Sequence, residues 1–261
     1  MRRRKKSESV VARNAFLLER IEAIKSDHPF WGYRRVWAYV RYREGMSASK
    51  NRIYRLMRTH HLMAHQTKVL RAKRTLHSKP RSKIPNTLWG TDMTKIMVDS
   101  WGWLYLHLVL DWASKKVVGW KLSTTSKTLD WLDALNRALN GQFEQGKDRE
   151  KVLQLVSDNG CQPTSEKFMK TCRYLGVQQI FTSYNNPRGN ADTERVIRTL
   201  KEDCVWLQEW TSYQQLHNAL NCWFKNYNED YPHSALGYLT PTAYESTHGE
   251  QTKSLKLSLD L

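Results

Sequence analysis

Between Glu44 and Asp92 the sequence has no acidic residue, although eleven Lys or Arg fall in that interval. The shortage is local. Residues 1–91 carry 23 basic against 5 acidic side chains, whereas residues 92–261 carry 19 against 20. The net charge of +17 is therefore held by the first third of the chain. Such asymmetry marks a polyanion-binding module joined to a near-neutral one. Large apolar residues are scarce from His65 to Lys83, so a membrane-inserting amphipathic helix fits that stretch poorly and nucleic acid fits it well. No apolar run approaches the roughly 18 residues of a membrane span. The opening MRRRKK lacks the apolar segment that would follow it in a secretory signal. The four cysteines (Cys161, Cys172, Cys204 and Cys222) include no CxxC pair, which predicts reduced, partly buried thiols in a cytoplasmic protein. His60, His61, His65 and His77 have no cysteine partner in their segment and read as solvated. Against these absences stand 40% hydrophobic residues and eleven Trp, enough for a packed core.

Residues 11–26 read as an amphipathic helix, with Phe16, Leu17, Ile21 and Ile24 at helical spacing. A second helix is expected over 33–43, with Val36, Tyr39 and Val40 on one face, broken by Gly45. Ser47 is the expected cap of a third helix. Its apolar stripe is Ile53, Leu56 and Met57, and Lys50, Arg52, Arg55 and Arg58 decorate the rest. Helix, glycine turn and capped basic helix follow helix-turn-helix order, in which the second helix enters the major groove and its basic residues meet phosphates. A small helical bundle with a solvated basic face is the plainer reading of the same residues. From His65 to Asn86 periodicity fades. Seven Lys or Arg, two Pro and no acid predict a linker lying along a phosphate backbone, with Arg71, Lys73 and Arg74 as contacts.

The pattern then becomes β-branched and aromatic. Residues 88–98, 103–113 and 116–123 predict three antiparallel strands, followed by a helix over 128–140 with Leu132, Leu135 and Leu139 inward. A strand ending at Asp158, a helix over 165–176 capped by Ser165 and closed by Gly176, and a strand beginning at Val177 complete a mixed five-stranded sheet flanked by helices. The expected boundaries are 1–64 for the helical region, 65–86 for the linker, 87–246 for the core and 247–261 for a tail.

Three carboxylates stand out. Asp92 lies inside the first strand, where a charge is costly unless paired, hydrogen-bonded or metal-bound. Asp158 closes the fourth strand at the sheet edge, where open sheets place ligands. Glu194 lies one turn into a helix that Asn190 is expected to cap. Each also has a local reading: a buried ion pair or amide contact for Asp92, an Asx turn for Asp158, an i,i+4 pair with Arg198 for Glu194. Asp192, at the same helix start, suits a dipole-stabilising role. Arg188, in the polar stretch NNPRGN, is a candidate phosphate contact. Arg198 is left between pairing with Glu194 and touching phosphate.

Taken together, Asp92, Asp158 and Glu194 resemble the DDE triad of polynucleotidyl transferases with a ribonuclease H-like fold, retroviral integrases among them. The segments HPFWGYRRV (28–36), WGTDMT (89–94), SDNGCQPTS (157–165), NADTERVIRTLKED (190–203) and NYNEDYPHSALGYLTPTAYE (226–245) resemble transposases of the insertion sequence 3 family, second-reading-frame type. The resemblance runs from about residue 27 to residue 245 and implies a ribonuclease H-like core behind the helix-turn-helix region. It also implies a site in which Asp92 bridges two Mg²⁺ ions (or Mn²⁺ in their place) while Asp158 and Glu194 each complete one. Lys201 falls where related enzymes carry a basic residue that holds DNA. The activity implied is 3′-end cleavage and strand transfer at terminal inverted repeats and target DNA, through a circular intermediate. The partners implied are further copies of the chain and an upstream-frame product, met separately or as a frameshift fusion, in a bacterial, nucleoid-associated setting. Two other readings remain open on the residues: a DNA-binding regulator whose core is only a scaffold, and a simple ribonuclease H-type nuclease.

Overall fold

The computed structural model describes residues 8–64, 81–143, 152–182 and 189–248. The chain divides into two compact units, one formed by residues 1–73 with 232–238, the other by 74–231 with 239–261.

The first unit contains three helices, α1 (Glu8–Asp27), α2 (Tyr33–Tyr42) and α3 (Lys50–Thr59). Leu17, Ile21 and Ile24 of α1 close over Val36, Val40, Ile53 and Met57, all buried. Phe16 is 57% exposed and does not join them, because the inward face of α1 is narrower than its apolar spacing suggests. Gly45 takes φ +67° and ends the α2 turn. The cap of α3 is Ser49, two residues beyond the expected Ser47; its hydroxyl accepts from the Arg52 N–H at 3.3 Å. Trp37 donates from Nε1 to the Ala48 carbonyl at 2.8 Å. Tyr238 packs edge-on to Trp37 and stacks on Tyr42, with centroids 5.3 and 6.0 Å away. The Lys50 ammonium lies over Trp37 and Tyr238, at 4.2 and 5.3 Å from the ring centroids. The short segment 232–238 is therefore part of the helical unit's aromatic surface.

The second unit is a five-stranded sheet in the order β3-β2-β1-β4-β5. Its strands are β1 (Leu88–Val98), β2 (Gly102–Asp111), β3 (Val117–Ser123), β4 (Leu153–Ser157) and β5 (Val177–Phe181). The first three are antiparallel, while β4 and β5 run parallel to β1. With α4 (Thr128–Gln142) and α5 (Glu166–Tyr174) on the sheet, this is the mixed ribonuclease H-like architecture expected from the sequence. Trp89, Val109 and Leu155 of the sheet pack with Trp131, Leu135, Ala138 and Phe168 of the helices. The Ser165 cap of α5 holds, with its hydroxyl accepting from Phe168 N–H at 3.4 Å, and Gly176 supplies the φ of +62° that turns the chain into β5. After α6 (Ala191–Asp203) come α7 (Tyr213–Glu229) and α8 (241–248). The Thr240 hydroxyl caps α8, accepting from Ala243 N–H at 3.2 Å. The four cysteines are free; Cys161 and Cys222 are exposed, and only Cys172 is fully buried. No helix among the described residues is long and apolar enough to cross a membrane.

Candidate active site

Side chains alternate along a strand, so Gly90, Asp92 and Thr94 share one face of β1. That face meets α6: a Cβ built on Gly90 would fall 2.3 Å from the Thr193 hydroxyl. Asp92 is half-buried there, one carboxylate oxygen accepting from the Met93 N–H at 2.8 Å. The neighbouring strand β4 pairs in parallel with β1, Trp89 opposite Leu155 and Gly90 opposite Val156. The pairing ends there, two residues short of Asp92 on β1 and of Asp158 beyond β4. Asp158 lies just past the end of β4, is exposed, and accepts from Gly160 N–H at 3.0 Å. The turn and the sheet edge are thus both served by one residue.

Glu194 is exposed in the first turn of α6, and the start of that helix is tied to the sheet at three points. Asn190 does not cap α6 through its side chain, as expected from sequence; its Nδ2 instead donates to the Thr91 carbonyl at 3.1 Å. Trp112 donates from Nε1 to the Thr193 hydroxyl at 3.1 Å. Lys115, held at φ +61° in the turn after β2, donates to Asp192 at 3.0 Å. Asp192 therefore serves as an ion-pair partner as well as an acid at a helix N-terminus. Further along, Val196, Ile197 and Leu200 are buried, whereas Leu207 is 43% exposed because α6 has ended at Asp203.

Asp158 and Glu194 both act on Asp92. The Asp92 carboxyl is pushed up to about 6, first by burial; its Met93 hydrogen bond opposes this, the charges of Asp158 and Glu194 add to it, and the Lys201 ammonium pulls it back. Burial first, and then two like neighbours, penalise the charge of Asp92, and a cation bound there would relieve that penalty. The donor set is all carboxylate oxygen, the hard ligand type that Mg²⁺ takes. On that chemistry the residues fit the metal. Among the described residues, however, no three His, Cys, Asp or Glu side chains already form a ligation-ready group. Drawing the acids together costs Coulomb repulsion that a divalent cation offsets.

A second buried acid lies nearby in sequence and has a different role. Asp111, wholly buried at the end of β2, accepts from Asn86 N–H at 3.2 Å and from the Ser114 N–H and hydroxyl at 2.9 and 2.5 Å. Three donors satisfy it, and it braces the turn that presents Lys115.

Comparison with known proteins gives a consistent result. Residues 82–187 and 175–241 match the integrase core domain family, and residues 12–69 match an HTH-like domain. The transposase InsD for insertion element IS2A/D/F/H/I/K of Escherichia coli is 28% identical over 87% of this chain and 77% of its own length. The InsD transposase for element IS2-9 of E. coli K12 is equally similar, over 76% of its length. This chain belongs to the insertion sequence 3 family of transposases. The catalytic domain of Mos1 mariner transposase superposes with a TM-score of 0.50 at 17% identity, covering 63% of this chain and 82% of that one, which shows the shared fold.

In this transposase the cations expected on DNA fall into distinct places. Lys50, Arg55 and Arg58 are exposed on α3, while Arg52 is half-buried and its Nε donates to Asn14 of α1 at 2.9 Å. Arg198 is not paired with Glu194. Its Nε meets Glu202 at 2.8 Å, the i,i+4 partner on the C-terminal side, with Arg198 itself 72% exposed. Lys201 is half-buried and acts on Asp92. Arg71, Lys73, Arg74 and Arg188 lie outside the described residues, as do most of the expected linker and tail. Sequence reasoning missed Asn190, Thr193 and Trp112 as a group. Gly90, which leaves room for Trp112 and Thr193, was the only local sign.

Proposed function

We propose that this transposase is a DDE-type polynucleotidyl transferase that cleaves 3′ ends of its element and joins them to target DNA. The observation that carries the reading is geometric: α6, which bears Glu194, is held to β1 beside Asp92 by the Asn190–Thr91 hydrogen bond and by the close approach at Gly90. Asp92, Asp158 and Glu194 would hold two Mg²⁺ ions, with Mn²⁺ able to substitute. Such an ion pair supplies Lewis acidity to the attacking and leaving oxygens around one phosphorus. The protein's own part is positional. In this reading Asp92 of β1, Asp158 just past β4 and Glu194 of α6 would converge on the ions, and Lys201 would offer an ammonium to substrate phosphate. Exposed Lys50, Arg55 and Arg58 on α3 suit a duplex backbone, with Arg71, Lys73, Arg74, Arg188 and Arg198 as further phosphate contacts. Membership in the family favours terminal inverted repeats as the recognised ends, further copies of the chain as partners, and an upstream-frame product or frameshift fusion beside them. Lys, Arg and the sheet edge together account for DNA; nothing in this reading calls for a membrane.

The test is an Mg²⁺-dependent cleavage and joining assay on supercoiled DNA bearing the element's ends, with wild type beside Glu194→Gln. The variant keeps the side-chain shape and loses one ligand charge, and a drop of at least about 10²-fold is the expected order for losing a group that supports transition-state charge. Equal rates would end the catalytic reading. Full DNA binding in EDTA together with tolerance of Asp158→Asn would favour a regulator with a scaffold core, and cutting of hybrids without joining would favour a simple nuclease.

A further inference from the structure

We propose that Asn190 is a positioning residue that fixes the spacing between Asp92 and Glu194; the proposal rests on the metal-site reading above. Two hydrogen bonds pass through this one residue. Its side-chain Nδ2 donates to the carbonyl of Thr91, immediately before Asp92, at 3.1 Å, and its own carbonyl accepts from the N–H of Glu194 at 3.1 Å. A path of two bonds therefore joins the backbone at the first acid to the backbone at the third.

Asn190 gives up other options to make this tie. A residue at a helix N-cap ordinarily turns its side-chain oxygen onto an N–H of the first turn. Asn190 makes no such bond. It is 6% exposed, and its Oδ1 meets no hydrogen-bond partner among the described residues. An amide is the group that suits the position. The Thr91 carbonyl needs a donor, which a carboxylate does not offer, and a serine hydroxyl is too short to bridge the same gap. The other two ties at this helix start, Trp112 to Thr193 and Lys115 to Asp192, both reach the turn after β2. Only the Asn190 tie reaches the strand that carries Asp92.

The proposal separates two roles that a buried residue usually combines. Asn190→Ser loses the reach to Thr91 but supplies a hydroxyl cap, so α6 should remain folded while its acid is no longer held at the set distance. Supporting groups behind metal ligands typically contribute about 10–100-fold in metal affinity. The experiment is a calorimetric titration of the full chain with MgCl₂, free of DNA, alongside thermal melts, for wild type, Asn190→Ser, Asn190→Ala, Thr193→Val and Glu194→Gln. We expect Asn190→Ser to melt as wild type does and to bind Mg²⁺ about tenfold more weakly. Thr193→Val should melt lower with its affinity less affected. Asn190→Ala should lose both, and if it does not fold the serine variant still decides the matter. Wild-type affinity in Asn190→Ser, with Glu194→Gln weakened, would overturn the positioning role and leave the metal site standing. Wild-type affinity in Glu194→Gln would overturn both.

Discussion

Gly90→Ala is the smallest change that should disturb this protein at its centre. An added Cβ would lie 2.2 Å from Trp112 Nε1, 2.8 Å from Trp112 Cε2 and 2.3 Å from Thr193 Oγ1. Carbon packs against such atoms at about 3.5 Å, so the gap must open by roughly 1.2 Å. Neither neighbour can swing into solvent: Trp112 is 2% exposed, Thr193 is fully buried, and they are hydrogen-bonded to each other at 3.1 Å. The strain therefore passes to α6, which must lift from β1 and carry Glu194 with it. Overpacking of this kind costs about 1–3 kcal/mol, and a strained buried hydrogen bond adds about 1 kcal/mol. A total near 2–4 kcal/mol is measurable as a lower urea midpoint with unchanged slope. A displacement of about 1 Å at a reacting group can lower the rate on the order of 10²-fold. Thr193→Ala removes one of the two obstructions, so the double variant should be less destabilised than the two single losses added together. Gly90→Ala within about 0.5 kcal/mol of wild type, the range of inconsequential surface changes, would refute the close-approach argument.

Other consequences can be checked independently. Burial holds His107 down at about 4 against an ordinary 6.5. Between those values the unfolded chain takes a proton that the native chain refuses, so stability falls as pH drops through that window. Urea midpoints at pH 7 and 4.5 should show wild type losing up to about 3 kcal/mol relative to His107→Gln; parallel curves would exclude the buried neutral imidazole. Asp111 has the opposite sign, raised to about 6 mainly by burial, which is why the variant difference and not the wild-type curve is the quantity to measure. Asp111→Ala, leaving three donors without their acceptor, should cost about 2–4 kcal/mol while the Mg²⁺ dependence of cleavage keeps its wild-type midpoint; a shifted midpoint would mean that Asp111 belongs to the metal site. Arg55→Ala and Arg58→Ala should each reduce the salt slope of DNA binding by about one, and an unchanged slope would take that residue off the phosphate backbone. Arg198→Ala breaks an exposed pair with Glu202, so its stability effect should stay below about 1 kcal/mol in a urea melt.

Much of the core could be read from the sequence because its signals are local. Alternation gave β1, β2 and β3, the Leu132, Leu135 and Leu139 spacing gave α4, and Ser165 and Gly176 marked the ends of α5. The acids were legible as a set because each broke its own local pattern: a charge in a strand, an acid at a strand end, a carboxylate among cations. What escaped depended on neighbours distant in sequence. Asn190 looked like a cap because the Thr91 carbonyl that claims it lies 99 residues away. Arg198 had acids at both i−4 and i+4, and spacing alone does not choose between them; the pair formed is with Glu202. Helix α7 went unread, since its buried residues Leu216, Leu220, Phe224 and Tyr227 are interleaved with Asn and Gln that mask the apolar spacing. Ser47 and Ser49 are chemically equal as caps, and only the backbone at Lys50 distinguishes them.

The helical unit draws its aromatic surface from two stretches that translation produces far apart. Tyr238, which lies against Trp37 and Tyr42, leaves the ribosome only after the five strands of the sheet have been made. Until then the nascent α2 and α3 lack one wall. Completion of this basic module is thereby tied to synthesis of the sheet, and a product terminated before Tyr238 would carry the charge for DNA without the finished surface that holds Lys50 in place.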